Sequence, residues 1–198
     1  MDKYIHDKQY GNLVAGVDEA GRGPLAGPVV CAVCIMGDRF VDGVDDSKKL
    51  SASKRLSMYN LIVSNAIEYK IGYVDNIEID RINILNATKK CMTDVINQLT
   101  LRPSVVLIDY VKLNINNSVS ITRGDSLSYN IAAASILAKV TRDSIMEEYA
   151  LKYPQYGFEK HKGYPTKMHY EKINKYGIAD IHRKSFLKNY VNLQSNKQ

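Results

Sequence analysis

Gly16-Val-Asp-Glu-Ala-Gly-Arg-Gly-Pro-Leu-Ala-Gly-Pro-Val29 is the stretch on which the reading of this sequence turns. It follows a short apolar run, Leu13 to Val17, that reads as a buried strand ending in two acids, Asp18 and Glu19. Neighbouring residues on a regular strand point to opposite faces, so these two acids can serve one ion only if the strand is ending. Gly21 and Gly23 indicate that it is. The glycines do not form a dinucleotide fingerprint. Their spacing is G-x-G-x-x-x-G, Pro24 interrupts it, and a strand follows where a helix is needed. The stretch reads instead as a tight turn with exposed N–H groups that can approach a sugar-phosphate.

Working outward, Val29 to Met36 reads as a second strand, antiparallel to the first across the turn. It carries Cys31 and Cys34, which a strand sends to opposite faces, so they are expected as reduced core residues rather than a metal or disulfide pair. Ser51 can cap a helix bearing Leu56, Tyr59, Val63 and Ala66 at helical spacing. Tyr69 to Asp75 is a third strand, and Ile77 to Leu101 one long helix with Leu85, Met92, Val95, Ile96 and Leu99 on its apolar side. Ser104 to Asp109 is a fourth strand, also ending in an acid, and Ser118 to Thr122 a fifth. Leu127 to Glu148 is a helix, apolar nearly all round from Ile131 to Ala138. This order indicates an α/β domain with a mixed sheet and helices on its faces. A helical crossover can return the fourth strand parallel beside the first, which sets Asp18, Glu19 and Asp109 at one end of the sheet, where such sheets place ligands.

The chain of 198 residues is 45% hydrophobic and 24% charged, ordinary for a soluble globular protein. Met1 to Tyr10 lacks the apolar segment of a secretory signal, and the longest apolar run is too short for a bilayer; the expected location is the cytoplasm, without membrane contact. The formal net charge is +6, and Lys152 to Lys188 holds nine Lys/Arg against three Asp/Glu, interleaved with Tyr153, Tyr156, Tyr164, Tyr170 and Tyr176. A basic, aromatic surface suits a phosphate backbone, although alone it is a weak signal. We expect a core over residues 1–150, a helical C-terminal part over 151–190 packed on it with substrate contacts, and a frayed polar tail over 191–198.

Four acids fall at element ends: Asp18, Glu19, Asp109 and Asp125. Any one of them, taken singly, is more often just solvated. Gathered by the topology in a net-positive chain, they need cations to neutralise them. A set of carboxylates without His or Cys favours Mg²⁺ or Mn²⁺, and two such ions roughly 4 Å apart can clamp both oxygens of a phosphodiester displacement.

With these residues in place, the opening stretch closely resembles the signature of ribonuclease HII, the bacterial type 2 ribonuclease H. Three more blocks agree: Asp46-Ser-Lys-Lys-Leu50; Gly124-Asp125 with Ile131-Ala-Ala-Ala-Ser-Ile-Leu-Ala-Lys-Val-Thr-Arg-Asp143; and His161-Lys-Gly-Tyr-Pro-Thr166. The resemblance implies a ribonuclease H-like fold, a five-stranded mixed sheet flanked by helices with a helical C-terminal part. It implies that Asp18, Glu19, Asp109 and Asp125 are the catalytic, metal-binding acids. It further implies hydrolysis on the 5′ side of a ribonucleotide, leaving 3′-hydroxyl and 5′-phosphate ends. The implied substrates are RNA–DNA hybrids and duplex DNA with a single embedded ribonucleotide. Gly21, Arg22 and Gly23 would contact the ribose 2′-hydroxyl through their backbone, together with Tyr164, and Lys48 and Lys49 would hold phosphates. Ser135, Lys139 and Arg142 are open to two readings, phosphate contact or packing, with Lys139 to Asp143 as an i,i+4 pair. A monomer is expected.

Two departures from the family pattern stand out: Tyr110 where glycine usually follows the third acid, and Asn130 where a serine is expected nearby. The type 3 enzymes, with an extra N-terminal domain and Thr in place of Arg22, fit less well. So do a non-catalytic nucleic-acid-binding module, given four intact acids, and a phosphatase of small substrates, given the basic C-terminal part.

Overall fold

The structure is a computed structural model and describes residues 2–37, 40–45, 47–48 and 50–188. Five strands form one mixed sheet in the order β3-β2-β1-β4-β5. They are β1 (Val14–Ala20), β2 (Val29–Met36), β3 (Ala66–Val74), β4 (Val105–Asp109) and β5 (Ser118–Ile121). β1 runs antiparallel to β2 and parallel to β4, with Val17 opposite Val33 on one side and Ile108 on the other. Both neighbours are those the turn and the crossover predict. The expected fold class is the observed one.

The helices that accompany the sheet include α1 (Asp2–Lys8), α2 (Ala52–Asn65), α3 (Asn76–Ile82), α4 (Ile84–Asn97), α5 (Gly124–Leu127), α6 (Tyr129–Lys152), α7 (Phe158–His161) and α8 (Lys167–Tyr176). One face of the sheet packs Ala15, Val17, Cys31 and Val33 against Cys91, Met92 and Val95 of α4. The other packs Val30, Ala32 and Cys34 against Ala132, Ala133, Ile136 and Leu137 of α6. Cys31 and Cys34 therefore lie in different cores, buried and unpaired, as strand geometry requires. Gly16 lets α6 approach β1: a Cβ there would stand 2.1 Å from the backbone carbon of Asn130. No described helix is long and apolar enough to cross a membrane.

Several boundaries differ from expectation. β1 runs through both acids to Ala20 and stops at Gly21, with Glu19 and Ala20 still paired to Cys31 and Val30 of β2. The first eight residues are not merely a polar lead-in: α1 buries Asp7, whose Oδ2 accepts from the backbone N–H and side-chain amide of Asn130 at 2.8 Å each. The capping role of Ser51 holds, its hydroxyl accepting from Lys54 N–H. Yet α2 buries Met58 and Ile62, leaves Leu56 exposed, and stops before Ala66, which opens β3. The expected helix from Ile77 to Leu101 is two helices. Asn83 breaks it with φ 66° and ψ 163°, a strained backbone outside the left-handed helical basin, and its side chain then caps α4 by accepting from Asn86 N–H. Leu85, just past the break, is exposed. Ser128, extended, likewise caps α6 through Ile131 N–H and separates it from the short α5.

Candidate active site

β1 carries Asp18 toward the α6 core and Glu19 toward the α4 side, so the two acids leave opposite faces of a strand that has not ended. They still meet electrostatically. Asp109 is the last residue of β4, one step beyond Ile108, and so stands beside Asp18 across the parallel pair. Asp125 sits in the first turn of α5. Gly124 N–H donates to Asp109 Oδ1 at 2.6 Å, joining the third and fourth acids through one backbone step. Burial, then Glu19 and Asp109, and more weakly Asp125, hold the Asp18 carboxyl well above its ordinary range, against an opposing bond from Glu19 N–H at 2.7 Å. Burial also raises Glu19, with Arg22 pulling it down and Asp109 pushing it up.

All four predicted acids thus belong to one sheet end. Among the described residues no three His, Cys, Asp or Glu side chains close into a ready-made ligand cage. An open set is compatible with Mg²⁺, which keeps waters and substrate phosphate among its ligands. The donor chemistry fits a divalent cation. Glu19 Oε2 is buried with no hydrogen-bond partner, and Asp18 is crowded by like charge. A hard cation relieves both at once.

The turn after the acids is held from behind by two fully buried arginines. Arg183 donates to Gly21 O at 2.6 Å, Arg22 O at 2.9 Å and Gly27 O at 2.9 Å. Arg142 donates to Pro28 O at 3.1 Å and Ala26 O at 3.2 Å. With these carbonyls taken inward, the 21–28 loop is fixed by its own backbone. Gly21 has φ +100°, and a Cβ on it would strike Arg142 Nε at 2.1 Å, so glycine is required there twice over. The Arg22 side chain turns back to Glu19 at 3.5 Å. Tyr164, 38% exposed, has its ring beside Gly23, with Lys139 and Arg142 over its face at 5.9 and 5.6 Å.

Lys48 reaches Asp125 Oδ2 at 3.0 Å while its own side chain is largely exposed. It therefore stands at the acids, within range of a phosphate that lies over them. Lys49 lies outside the described residues. Lys139 pairs with Asp143 at 2.7 Å, and Ser135 bonds back to Ala132 O, contacts that the packing reading expects. The same holds for Arg142, whose burial removes it from any direct phosphate role. Arg183 had no counterpart in the sequence reading. Nothing in Ile181-His-Arg-Lys-Ser185 separates a buried loop clamp from one more cation in a basic segment.

Both departures have local explanations. Tyr110 adopts a left-handed φ of 55°, the conformation that makes glycine usual at such a position, and its exposed ring avoids further crowding. The strain costs about 1–2 kcal/mol. Asn130 ties α1, α6 and β2 together, since its Oδ1 also accepts from Met36 N–H at 2.7 Å.

Comparison with known proteins agrees with this geometry. A family model described as ribonuclease HII matches residues 15–189. A ribonuclease HII of Clostridioides difficile (strain 630) is 56% identical over 189 residues, which is 94% of this chain and 74% of that one. One from Ruminiclostridium cellulolyticum is 53% identical over 183 residues, 91% of this chain and 72% of that one. The crystal structure of the ribonuclease H2 from Pyrococcus horikoshii OT3 superposes with a TM-score of 0.74 at 28% identity, covering 87% of this chain and 93% of that one.

Proposed function

The chain belongs to the ribonuclease HII family and has ribonuclease H activity, and on that premise we propose how its residues divide the work. Asp18, Glu19, Asp109 and Asp125 hold divalent cations, Mg²⁺ or Mn²⁺, over which the scissile phosphodiester lies. The observation that carries this reading is the buried Glu19 Oε2, left without a partner inside a cluster whose carboxyls already repel one another. The chemistry such cations supply is a lowered water pKa and charge neutralisation at the departing oxygen.

The protein's own groups do the rest. Gly21, Arg22 and Gly23 present backbone to the ribose, and Arg183 keeps the Gly21 and Arg22 carbonyls turned away from it. A lone ribonucleotide in DNA differs from its neighbours only by its 2′-hydroxyl, so recognition needs direct contact with that group. Tyr164 lies on the far side of Gly23, placed to pack on the adjacent sugar. Lys48, and Lys49 beside it in sequence, neutralise backbone phosphate. The substrates are RNA–DNA hybrids and duplex DNA with a single embedded ribonucleotide, cut on its 5′ side, by a monomer working in the cytoplasm.

Asp18→Asn and Asp109→Asn test the acids. Both variants should lose cleavage of a hybrid by orders of magnitude while still binding it, and both should lose the stabilisation that Mg²⁺ or Mn²⁺ gives the parent in thermal melts. Retained cleavage in either variant would mean that the cations are held elsewhere.

A further inference from the structure

Three histidines lie inside the C-terminal part, and the proposed chemistry uses none of them. His169 and His182 are at most 1% exposed and His161 8%. They surround Phe158, whose ring meets each of them edge-on or tilted at 5.5–5.8 Å. An apolar packing cluster here has no need of three imidazoles, so their hydrogen bonds are the informative feature.

The ring nitrogens can be assigned one after another, because every partner but one is a backbone group of fixed polarity. His182 Nδ1 lies 2.8 Å from Ala179 N and 3.2 Å from Ala179 O; the shorter, N–H-directed contact assigns Nδ1 as the acceptor and the His182 proton to Nε2. That Nε2 faces His169 Nε2 at 3.0 Å, which must then be the acceptor. His169 therefore carries its proton on Nδ1 and donates to Tyr164 O at 3.0 Å. His161 stacks on His169 with ring centroids 4.3 Å apart. It accepts from Gly163 N–H and donates to Tyr156 O. The chain as assigned needs both rings neutral: a proton added to His169 Nε2 would oppose the His182 N–H across 3.0 Å, and one added to His182 Nδ1 would oppose Ala179 N–H across 2.8 Å. Burial supports neutrality, lowering both imidazoles to about 4.

The chain has two ends, and each touches the ribose-facing apparatus. At one end is the carbonyl of Tyr164. At the other, His182 forms an isolated bridge with Ala26 of the glycine loop, and the flanking Arg183 N–H donates to Leu25 O. Gly163 O accepts from Leu25 N–H at 2.8 Å, closing the circuit. We propose that the His169–His182 pair is a positioning device that sets Tyr164 at a fixed distance from Gly23, and so governs discrimination of a single ribonucleotide. The proposal rests on the reading of Tyr164 as the ribose-side contact.

Two substitutions at His169 separate positioning from packing. The amide nitrogen of Asn overlays Nδ1 and keeps the bond to Tyr164 O. The longer Gln reaches the Nε2 position, fills more of the space, and loses that bond. His169→Gln should lower kcat/KM on a single-ribonucleotide duplex by about tenfold to a hundredfold, the usual effect of a misplacement near 1 Å. It should affect a long RNA–DNA hybrid less. His169→Asn should recover most of the loss. In a Tyr164→Ala background His169→Gln should add nothing, because it acts through a ring already gone. A packing role reverses the order, with Asn worse than Gln, and that order would overturn the proposal. Tyr164→Ala without effect on single-ribonucleotide cleavage would overturn the Tyr164 reading itself; an effect of Tyr164→Ala with none from His169→Gln would overturn the relay alone. Imidazole ¹⁵N shifts of the parent protein give a test free of folding effects. At neutral pH they should show His169 protonated on Nδ1 and His182 on Nε2, and the reverse tautomers or a charged ring would refute the chain.

Discussion

Replacing Arg183 by Met removes three donors while keeping an unbranched apolar stem in their place. Gly21 O, Arg22 O and Gly27 O would each lose a bond from a charged group. Leaving a buried acceptor unsatisfied costs about 1–3 kcal/mol, so the gross loss is roughly 3–9 kcal/mol. Against this stands the cost of burying a guanidinium. Burial and the neighbouring Arg142, partly offset by Asp80 and Tyr164, lower the Arg183 guanidinium from its ordinary value to about 9. At about 1.4 kcal/mol per tenfold, that is on the order of 5 kcal/mol returned when the charge is deleted. The two nearly cancel: the difference lies between about −2 and +4 kcal/mol, so the net change should stay well inside the margin of an ordinary domain. The catalytic consequence should be large. With its carbonyls released, the 21–23 backbone is free to turn, and cleavage beside a single ribonucleotide should fall about a hundredfold. The assay is paired: urea denaturation for stability and steady-state cleavage of a single-ribonucleotide duplex for function. Parent-like cleavage in a folded Arg183→Met protein would refute the claim that this side chain holds the loop in its working shape.

Gly21→Ala should be worse on both counts, since the new methyl meets Arg142 Nε at 2.1 Å and Pro28 O at 2.8 Å in a left-handed backbone. We expect about 2–5 kcal/mol of destabilisation and no measurable cleavage, and a parent-like melting temperature would contradict the packing described. Acid should weaken the fold through His169 and His182, whose folded values of about 4 lie below the ordinary 6.5. Their contribution is complete above pH 6.5 and lost as pH falls toward 4, up to about 3 kcal/mol for each imidazole that must charge. Asp18 and Glu19, raised in the fold, act in the opposite sense, so the informative quantity is the pH slope of the parent minus that of His169→Gln. Equal slopes would show that the imidazoles are not buried neutral.

The site was legible where chemistry is written in residue type. Acids at the ends of apolar runs, and a glycine turn that fails the nucleotide pattern, point to Asp18, Glu19, Asp109 and the 21–23 backbone as the candidate site, and the fold brings these residues to one sheet end. What escaped was decided by partners distant in sequence. β1 continues to Ala20 because β2 still offers hydrogen bonds there, which no local pattern records. Asp18 and Glu19 do leave opposite faces, yet each acts on the other directly, and Asp109 at the same sheet end raises both. The helix break at Asn83 was hidden because apolar spacing continues on both sides of it. Arg183 and the histidine chain lie in a segment read for its net charge, where burial inverts the meaning of a basic residue.

The central claim is that these acids and this turn together cut beside a ribonucleotide that the turn has recognised. Its most direct test is to map the product ends from a DNA duplex carrying one ribonucleotide, with all-DNA and all-RNA duplexes as controls, in Mg²⁺ and in Mn²⁺. The account predicts a single nick on the 5′ side of the ribonucleotide, with 3′-hydroxyl and 5′-phosphate ends, and no cut in the all-DNA duplex. A nick elsewhere, or none with either metal, would contradict it.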